Sequence, residues 1–463
     1  MFDTITGLIP RDPDYPDRAW RLDVLARVLD GRLYDVLPYS FHDERDALGE
    51  YVPLRKRKPS VRYPLARIVV DDSLSLVFGE GHYPTFECGD DAARVVMGDL
   101  TAEARLNAVM QEAALAGSVG SVAILLRVLR GRVFFSVLPS QHLSPVWDSE
   151  EPDVLASVVE RYKVRGSVLE TQGYEIDDPH AEYWFMRRWD GERETWFRPW
   201  AVRGPELAAV DRARSVRHGL GFVPIVWIRN LPGGDGIDGG CTFRAAVETM
   251  IEIDYQLSQA GRGLKYSSDP TLLIREPAGA EGDMVRGGNA LVVSEKGDAK
   301  LLEIGGTASA AVIEYVRTLR EFALESVHGN RASPERLSAA QSGRALEMMN
   351  QGLIWLADNL RVSYGDAMLR LAQMVVRASN VYPLRVFGRP VAAIAPSLRW
   401  SLKWPRWHAP SAEDRERDAR TLSMLVEGGQ LSSVTALKSI ADVYDIPDVE
   451  AEMALIARER KHD

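Results

Sequence analysis

The sequence predicts a mainly helical α+β protein whose most distinctive part is a pair of long helices bracketing a small β-containing insert. Residues 241–264 carry apolar side chains at helical spacing, and the same spacing runs through residues 308–327. An α-helix rises about 1.5 Å per residue, so two helices of about 20 residues would each span roughly 30 Å. The insert at the far end of such a pair would therefore lie well away from the rest of the chain.

The insert is predicted to contain short strands, and the segment after the second helix is predicted to contain a third helix. Three short apolar runs, at 271–274, 290–293 and 300–304, alternate with glycine-rich turns and predict three short strands. After a loop, a third helical stripe extends from Leu346 to Met374. Three short strands bury little apolar surface of their own, which favours contact with a neighbouring subunit over an isolated small sheet.

The first 240 residues predict an α/β body. Helical stripes cover residues 17–37 and 90–115. A change of period then predicts a hairpin that turns at residues 130–131, and the Asp-Gly pair at 190–191 predicts a turn between two aromatic-rich strands. This mixture of helices and hairpins is the second reason for assigning the α+β class.

The carboxy-terminal residues predict three short helices. Ser411 is a suitable cap, and the acidic residues that follow it favour a helix through about residue 427. A pair of glycines ends that helix, and two further helices are predicted near 434–443 and 448–460.

Composition excludes some classes of protein but does not identify a single one. The chain has 463 residues, 46% of them hydrophobic, and a formal net charge of −10, which argues against gripping DNA over the whole surface. Cys88 and Cys241 lie far apart without metal-ligand spacing, so we expect a reducing interior and no disulfide framework. We expect neither a signal peptide nor a membrane span.

Three motifs admit both a chemical and a structural interpretation. Residues 42–46 (HDERD) could suggest a metal site, but without a second ligand cluster a solvated loop is favoured. The glycine-rich residues 232–240 could cradle a phosphate, yet they lack the lysine of a phosphate-binding loop, which favours a hinge into the first long helix. The aromatic residues between 183 and 200 are interleaved with Arg187 and Arg188 and could bind nucleic acid, but alternation in a two-stranded sheet favours packing.

The order of the elements resembles the portal proteins of tailed bacteriophages, the head-to-tail connector family. The resemblance begins at the strand 221–230 (GFVPIVWIRN), continues through the helix pair and its insert, and ends in the segment 396–419. Residues 342–346 (SGRAL) are similar to the Ser-Gly-x-Ala-Leu that often follows the tunnel loop of this family. The resemblance rests on order and spacing rather than on a catalytic signature.

This resemblance implies a portal-like α+β fold with an α/β wing, long paired stem helices, a small β-containing clip and a helical crown. The implied divisions are the wing at 1–240, the first stem helix at 241–268, the clip at 269–307, the second stem helix at 308–330, the tunnel loop at 331–342, the long wing helix and its return at 343–395, and the return strand and crown at 396–463.

The resemblance also implies three sets of functional residues. DNA would meet the tunnel loop at Arg331 and Arg336, because they are the only formal positive charges in the loop. The clip rim, which would dock the packaging motor and later the tail adaptor, would carry Arg275, Arg286, Lys296 and Lys300. Apolar residues on several sides of the two helices predict contact between subunits. These interface residues are Ile253, Tyr255, Val312, Val316 and Leu319.

The function implied is structural: a homo-oligomeric ring, dodecameric by resemblance, at a unique capsid vertex of a virion assembled in the host cytoplasm. Its partners would be the major capsid protein, the terminase large subunit, a head-tail adaptor and double-stranded DNA. The basic residues 55–58 would lie in a solvated loop or contact the capsid or DNA. No Ser-His-Asp, HExxH or Walker pattern stands in a suitable context, so we expect no catalytic, cofactor or metal site. The alternatives are another virion component, such as a minor head or scaffold-like protein, and a phage-encoded hydrolase.

Overall fold

The computed structural model describes residues 1–206, 208–268, 271–277, 293–302, 307–330, 348, 350–407, 412–441, 443–444, 446 and 448–459. Its helices are α1 (Phe2–Thr6), α2 (Asp17–Leu29), α3 (Leu65–Phe78), α4 (Asp91–Glu103), α5 (Leu106–Gly117), α6 (Gly166–Thr171), α7 (Val247–Ser268), α8 (Thr307–Ser326), α9 (Gln351–Val381), α10 (Ala412–Glu427), α11 (Ser433–Ile440) and α12 (Val449–Glu459).

The strands are β1 (Thr85–Glu87), β2 (Ser121–Leu129), β3 (Arg132–Pro139), β4 (Leu143–Trp147), β5 (Leu155–Arg165), β6 (Glu182–Asp190), β7 (Arg193–Phe197), β8 (Trp200–Ala201), β9 (Val210–Arg217), β10 (Ile225–Arg229), β11 (Thr271–Pro277), β12 (Val293–Leu302), β13 (Arg385–Val386), β14 (Arg389–Pro390) and β15 (Ser401–Lys403).

Strand β2 is the centre of an antiparallel sheet in which it lies between β10 and β3. Its register pairs Leu129 with Arg132, which confirms the predicted turn at 130–131. Successive side chains of β2 alternate between two cores: Ile124 packs into the main core, whereas Leu125 packs into a smaller one beneath the neighbouring sheet. Because both faces of β2 are covered, its first six residues are all buried.

The larger antiparallel sheet has the order β4-β5-β6-β7-β9, with β8 also paired to β6. Of its aromatic residues between 183 and 200, Tyr183, Trp184, Phe185, Trp189 and Trp200 are buried, whereas Trp196 and Phe197 are half-buried, which supports packing as the role of this stretch. Arg187 forms an ion pair with Glu160 across the sheet and lies 4.7 Å from the centroid of the Trp189 ring. Of the two arginines that suggested nucleic-acid binding, Arg187 is therefore engaged within the sheet, whereas Arg188 is exposed.

Helix α9 forms the centre of the main core. Tyr364, Met368 and Leu371 on its inner face are completely buried, and it packs against α3 and β10. The predicted third helical stripe is confirmed from Gln351 onward and continues to Val381, while its predicted beginning at Leu346 lies outside the described residues.

Two predicted helices are shorter than their apolar stripes. The helix predicted over 17–37 ends at Leu29, because Gly31 has a φ of 69° and its N–H and that of Arg32 bond back to the last turn. The helix predicted over 90–115 is divided into α4 and α5 by Arg105, whose φ is 54°. A left-handed residue interrupts the α-helical hydrogen bonds wherever it stands.

The three carboxy-terminal helices α10, α11 and α12 follow the predicted pattern. The Ser432 hydroxyl accepts a hydrogen bond from the Thr435 N–H at 3.2 Å and caps α11. None of the three helices contains a buried residue. This segment therefore adds little to the hydrophobic core of the chain.

Candidate functional site

Helices α7 and α8 pack along each other, with β11 and β12 between them in the chain. Their roots are buried: Val247, Met250 and Ile251 of α7 and Ala323 and Leu324 of α8 all belong to the main core. The end of α8 lies against the short 3-10 turn Arg244–Ala246 that precedes α7, so the root of the pair is formed by the start of α7 and the end of α8.

The root of α7 is fixed by a buried carboxylate. Asp254 is 1% exposed and accepts hydrogen bonds from the Tyr34 hydroxyl and the Tyr63 N–H, both at 2.6 Å. Burial raises the pKa of Asp254 to about 6, although these hydrogen bonds and the charge of Arg62 act in the opposite direction. One turn later, Ser258 accepts a bond from the Val61 N–H at 3.0 Å. The backbone of segment 61–63 is thus tied to α7 by the side chains of Asp254 and Ser258.

The glycine-rich loop before α7 is anchored rather than free. Arg18 of α2 donates to both carboxylate oxygens of Asp238 at 2.7 Å, and both side chains are 10% exposed. The same arginine donates to the carbonyl oxygens of Ser140 and Leu143, so its guanidinium is fully used. A buried, bidentate pair of this kind holds the loop in one geometry. This pair anchors Asp238, near the carboxy-terminal end of residues 232–240, and the hinge role of the loop stays a prediction.

A second anchor joins the loop to the central helix. Asn230 is completely buried and its amide donates to the Gly240 carbonyl and the Thr242 hydroxyl, at 2.9 and 2.8 Å. Its side-chain oxygen accepts a hydrogen bond from the Tyr364 hydroxyl of α9 at 3.2 Å. The position of α7 is therefore set by the sheet that precedes it and by α9 together.

Burial decreases from the root of the helix pair toward its far end. Leu264 near the end of α7 is 49% exposed, and Ile313 and Tyr315 in the first half of α8 are each 47% exposed. Phe322, closer to the root but on the outer side of α8, is 60% exposed. Large apolar side chains at this exposure on two adjacent helices form a surface that a neighbouring chain could cover.

The five predicted interface residues divide into two groups. Val312, Val316 and Leu319 lie on α8 and are half-buried, with Val316 and Leu319 packed against the main core of the same chain. Ile253 and Tyr255 are 0% and 2% exposed, and the Tyr255 hydroxyl donates to the Arg57 carbonyl at 2.8 Å. The prediction that Ile253 and Tyr255 contact a neighbouring subunit is wrong, because the chain itself already covers them.

The insert contains two strands rather than three within the described residues. Antiparallel β11 and β12 pair Thr271 with Leu302 and Arg275 with Asp298, and β12 continues through Gly297 where a break was predicted. Of the predicted rim residues, Arg275 lies on β11, and Lys296 and Lys300 lie on β12.

Several predicted site residues lie outside the described residues. Arg286 of the rim is one, and Arg331 and Arg336 of the predicted DNA-facing loop are the others. Their roles remain predictions that follow from the resemblance.

The charged motifs that could suggest chemistry form local structure instead. Asp46 of the motif at 42–46 accepts hydrogen bonds from the N–H groups of Leu48 and Glu50, at 2.9 and 3.0 Å, in a turn. Arg57 of the basic tract is 2% exposed and donates to the Val52 carbonyl. Within the part of the chain that the structure describes, no group of three or more His, Cys, Asp or Glu side chains is suited to hold a metal ion.

The anchoring residues were missed by the sequence reasoning, although each left a signal. Asp254 stands at a position of α7 that falls inside the apolar stripe, three residues after Ile251 and three before Leu257. An acidic residue on a buried face needs partners, so that position indicates a polar contact. Arg18 gave no comparable signal, because its partner Asp238 lies 220 residues away.

No helix in the described ranges is long and apolar enough to cross a membrane. A comparison with curated proteins gives no match. Among solved structures, the chain is similar to a chain of the "Virion of native gene transfer agent (GTA) particle", with 12% identity, a TM-score of 0.40, and coverage of 81% of this chain and 92% of that one. It is also similar to a chain of the "Neck of empty GTA particle computed with C6 symmetry", with 8% identity, a TM-score of 0.41, and coverage of 81% and 88%.

The comparison with family models is the finding that identifies the chain. The model described as "Phage portal protein, SPP1 Gp6-like" matches residues 12–463, which is nearly the whole sequence. This match includes the α/β body, the helix pair, the insert and the carboxy-terminal helices. The chain therefore belongs to the SPP1 Gp6-like family of phage portal proteins, which are structural components of phage-like particles.

Proposed function

We propose that this portal protein assembles into a closed ring at a single capsid vertex and forms the conduit through which double-stranded DNA enters and leaves the particle. In this role the protein catalyses no reaction. Identical contacts repeated from subunit to subunit generate a ring when the rotation between neighbours closes, and dodecameric closure is what the family resemblance implies.

The observation that carries this proposal is the exposed apolar surface of the helix pair. Ile313, Tyr315 and Phe322 on α8 and Leu264 on α7 are all about half exposed or more in the isolated chain. Covering such side chains stabilises an assembly by roughly 25 cal/mol per Å² of apolar surface. Because the roots of the two helices are fixed in the core, a neighbour that covers their outer sides would align all subunits about one axis.

The family resemblance supports the assignment of DNA to this axis. The predicted tunnel loop contains Arg331 and Arg336, and repetition around a ring would turn two arginines per subunit into a band of positive charge. Contacts to phosphates are independent of base sequence, as a conduit for any genome requires. Arg275, Arg286, Lys296 and Lys300 of the insert would form the rim at which terminase and the head-tail adaptor dock in turn.

Negative-stain imaging together with mass photometry of the purified protein tests the ring. We expect end-on rings with a central hole and a mass that is an integral multiple of the subunit mass. A stable monomer at micromolar concentration, or linear arrays, would favour another kind of virion component.

A pair of substitutions locates the contact. Ile313→Glu combined with Phe322→Glu places two charges on the exposed outer side of α8 and should prevent ring formation, because charges are costly in an apolar contact. The matched control is Leu48→Glu with Val95→Glu, since these side chains are 88% and 60% exposed on the body. If the control abolished rings and the α8 variant retained them, the helix pair would not be the contact.

A further inference from the structure

A groove with a volume of 910 Å³ lies between the body of the subunit and its carboxy-terminal helices. One wall is formed by the loop 80–85, which follows α3, and another by residues 403–406 at the end of β15. Arg415 of α10 and Lys438 of α11 close the remaining side. The loop 80–85 and the carboxy-terminal part of the chain, which are distant in sequence, therefore contribute to one surface.

The groove carries a concentration of positive charge on an acidic protein. Its lining includes Lys403, Arg406, Arg415 and Lys438, against Glu80 as the acidic lining residue. Arg406 also forms an ion pair with Asp418 at 3.6 Å, in which both side chains are more than half exposed. Exposed pairs of this kind contribute little and exchange readily. The positive charge stands out because the chain has a formal net charge of −10.

Two polar atoms in the groove wall have no hydrogen-bond partner among the described residues. The Tyr83 hydroxyl and the Nδ1 atom of His82 are both inaccessible to solvent in this state. The other ring nitrogen of His82 bonds to the Trp407 carbonyl at 3.0 Å, so that nitrogen carries the proton. A buried hydroxyl without a partner is costly, and an acceptor oxygen of a bound ligand would satisfy it.

A further cation stands behind the groove. The Arg361 guanidinium lies 4.7 Å from the centroid of the Trp404 ring and 3.2 Å from that of Trp407. Its Nε and Nη2 atoms have no hydrogen-bond partner in the described ranges. Burial lowers the pKa of Arg361 to about 10, so the group stays charged at neutral pH and adds to the positive potential at the Trp404 wall.

We propose that this groove binds backbone phosphates of double-stranded DNA, at a site separate from the predicted tunnel loop. Arginine and lysine side chains presented from three elements suit a chain of phosphates, and such contacts do not read the bases. The inference does not depend on the conduit: the groove could hold DNA whether or not DNA passes along the axis.

The test compares two charge-matched variants of the full chain. Arg415→Glu with Lys438→Glu reverses two charges in the groove, whereas Arg417→Glu with Arg420→Glu reverses two charges of α10 that do not line it. Fluorescence anisotropy with a short labelled duplex, repeated over a range of salt concentrations, measures the affinity and its salt dependence. Circular dichroism and mass photometry check that both variants retain the fold and assembly state of the unmodified chain.

We expect the groove variant to bind at least tenfold more weakly than the control and to lose about 2 from the slope of log affinity against log salt, one for each phosphate contact. Arg415→Gln with Lys438→Gln, which removes the charges without reversing them, should give the same direction with a smaller change. Equal losses in the groove and control variants would overturn the proposal, since binding would then follow overall charge.

Competition identifies the ligand. At constant ionic strength, an unlabelled duplex should displace the labelled one, whereas millimolar inorganic phosphate should leave it bound. Displacement by inorganic phosphate would make this a site for the free ion. Tighter binding of a poly-glutamate peptide than of the duplex would make it a protein-docking surface. Either result would overturn the assignment to DNA, and neither bears on whether rings form.

Discussion

At residue 117 the core leaves space for glycine alone. A Cβ atom there would overlap the Tyr364 hydroxyl and lie 2.9 Å from a methyl group of Val122. That hydroxyl donates a hydrogen bond to the buried Asn230, and moving it to make room for a methyl group would break this bond. Overpacking a core of this kind typically costs about 1–3 kcal/mol.

We therefore expect Gly117→Ala to lower the melting temperature by several degrees. Gly98→Ala is the control, because Gly98 lies inside α4 with nothing within 4 Å of its added methyl group. Replacing a helical glycine that has open space around it stabilises by roughly 0.4–1 kcal/mol. Differential scanning calorimetry should thus give shifts of opposite sign. Equal shifts would mean that the contact with Tyr364 does not limit this position.

Asp254 makes stability depend on pH in a direction unusual for a carboxylate. Its folded pKa of about 6 is above the ordinary value of 3.8, so the folded state binds the proton more tightly between these values. The free energy of unfolding then falls as pH rises from about 4 to about 6, by up to about 1.4 kcal/mol per pH unit. Above pH 6 the carboxylate is ionised in both states and this contribution is lost.

The variant Asp254→Asn should remove this dependence. We expect the melting temperature of the unmodified chain, relative to that of D254N, to rise as pH is lowered from 7 to 4.5. Asp366→Asn removes an exposed carboxylate paired with Arg370 and provides the comparison for surface charge. If D366N changed the profile as much as D254N, burial of Asp254 would not be the cause.

Single residues show where sequence reasoning stops. The periodicity of α7 predicted a buried stripe, yet it assigned Ile253 and Tyr255 to a neighbouring chain because they lie off that stripe. Segment 57–63, distant in sequence, lies against that side of the helix: the Arg57 carbonyl accepts a hydrogen bond from Tyr255, and the Val61 N–H donates to Ser258. A helix's own pattern shows how many sides are apolar, and only tertiary structure shows what covers each side.

At the scale of elements, local patterns predicted helices and hairpins well, and their boundaries less well. The hairpin at 130–131 and the three carboxy-terminal helices are confirmed, because turn residues and caps act within a few positions. The division between α4 and α5 was missed, since Arg105 is not a residue type that favours a left-handed conformation. The insert was assigned a break at Gly297, although a glycine can also stand inside a strand at a small cost.

The carboxy-terminal helices allow a prediction at the scale of elements. Deleting residues 411–463 should leave the body and the helix pair folded, because α10, α11 and α12 contain no buried residue and the main core contains none of their side chains. Circular dichroism should show a melting temperature within a few degrees of that of the full chain. DNA packaging should be impaired, as the family's crown would imply. A truncated chain that failed to fold would show that this segment completes the core.

At the scale of the whole molecule, the charge distribution and the exposed apolar surface point to different partners. The helix pair exposes large apolar side chains, which suits a second copy of the chain. Basic groups are concentrated elsewhere, in the groove beside α10 and in the predicted tunnel loop. An acidic protein can thus repel DNA over most of its surface and still guide it at selected places, because salt screens charges beyond about 8 Å.

The predicted tunnel loop provides the test of guidance. Replacing Arg331 and Arg336 with Glu should leave ring assembly intact, since neither residue is needed for the contacts along α8. The amount or length of DNA retained in particles should fall, because a ring of acidic groups would repel the phosphates that the arginines are expected to attract. Agarose gel analysis of DNA extracted from purified particles measures both quantities.

The control for this experiment reverses the exposed charges of Arg55 and Lys56, which lie in the basic tract of the body. If this variant packages normally while the loop variant does not, the position of the charge matters rather than its total. If both variants package and retain full-length DNA, the loop does not guide DNA electrostatically. A defect confined to the tract variant would instead indicate that residues 55–58 contact the capsid or DNA, because the change in net charge is the same in both chains.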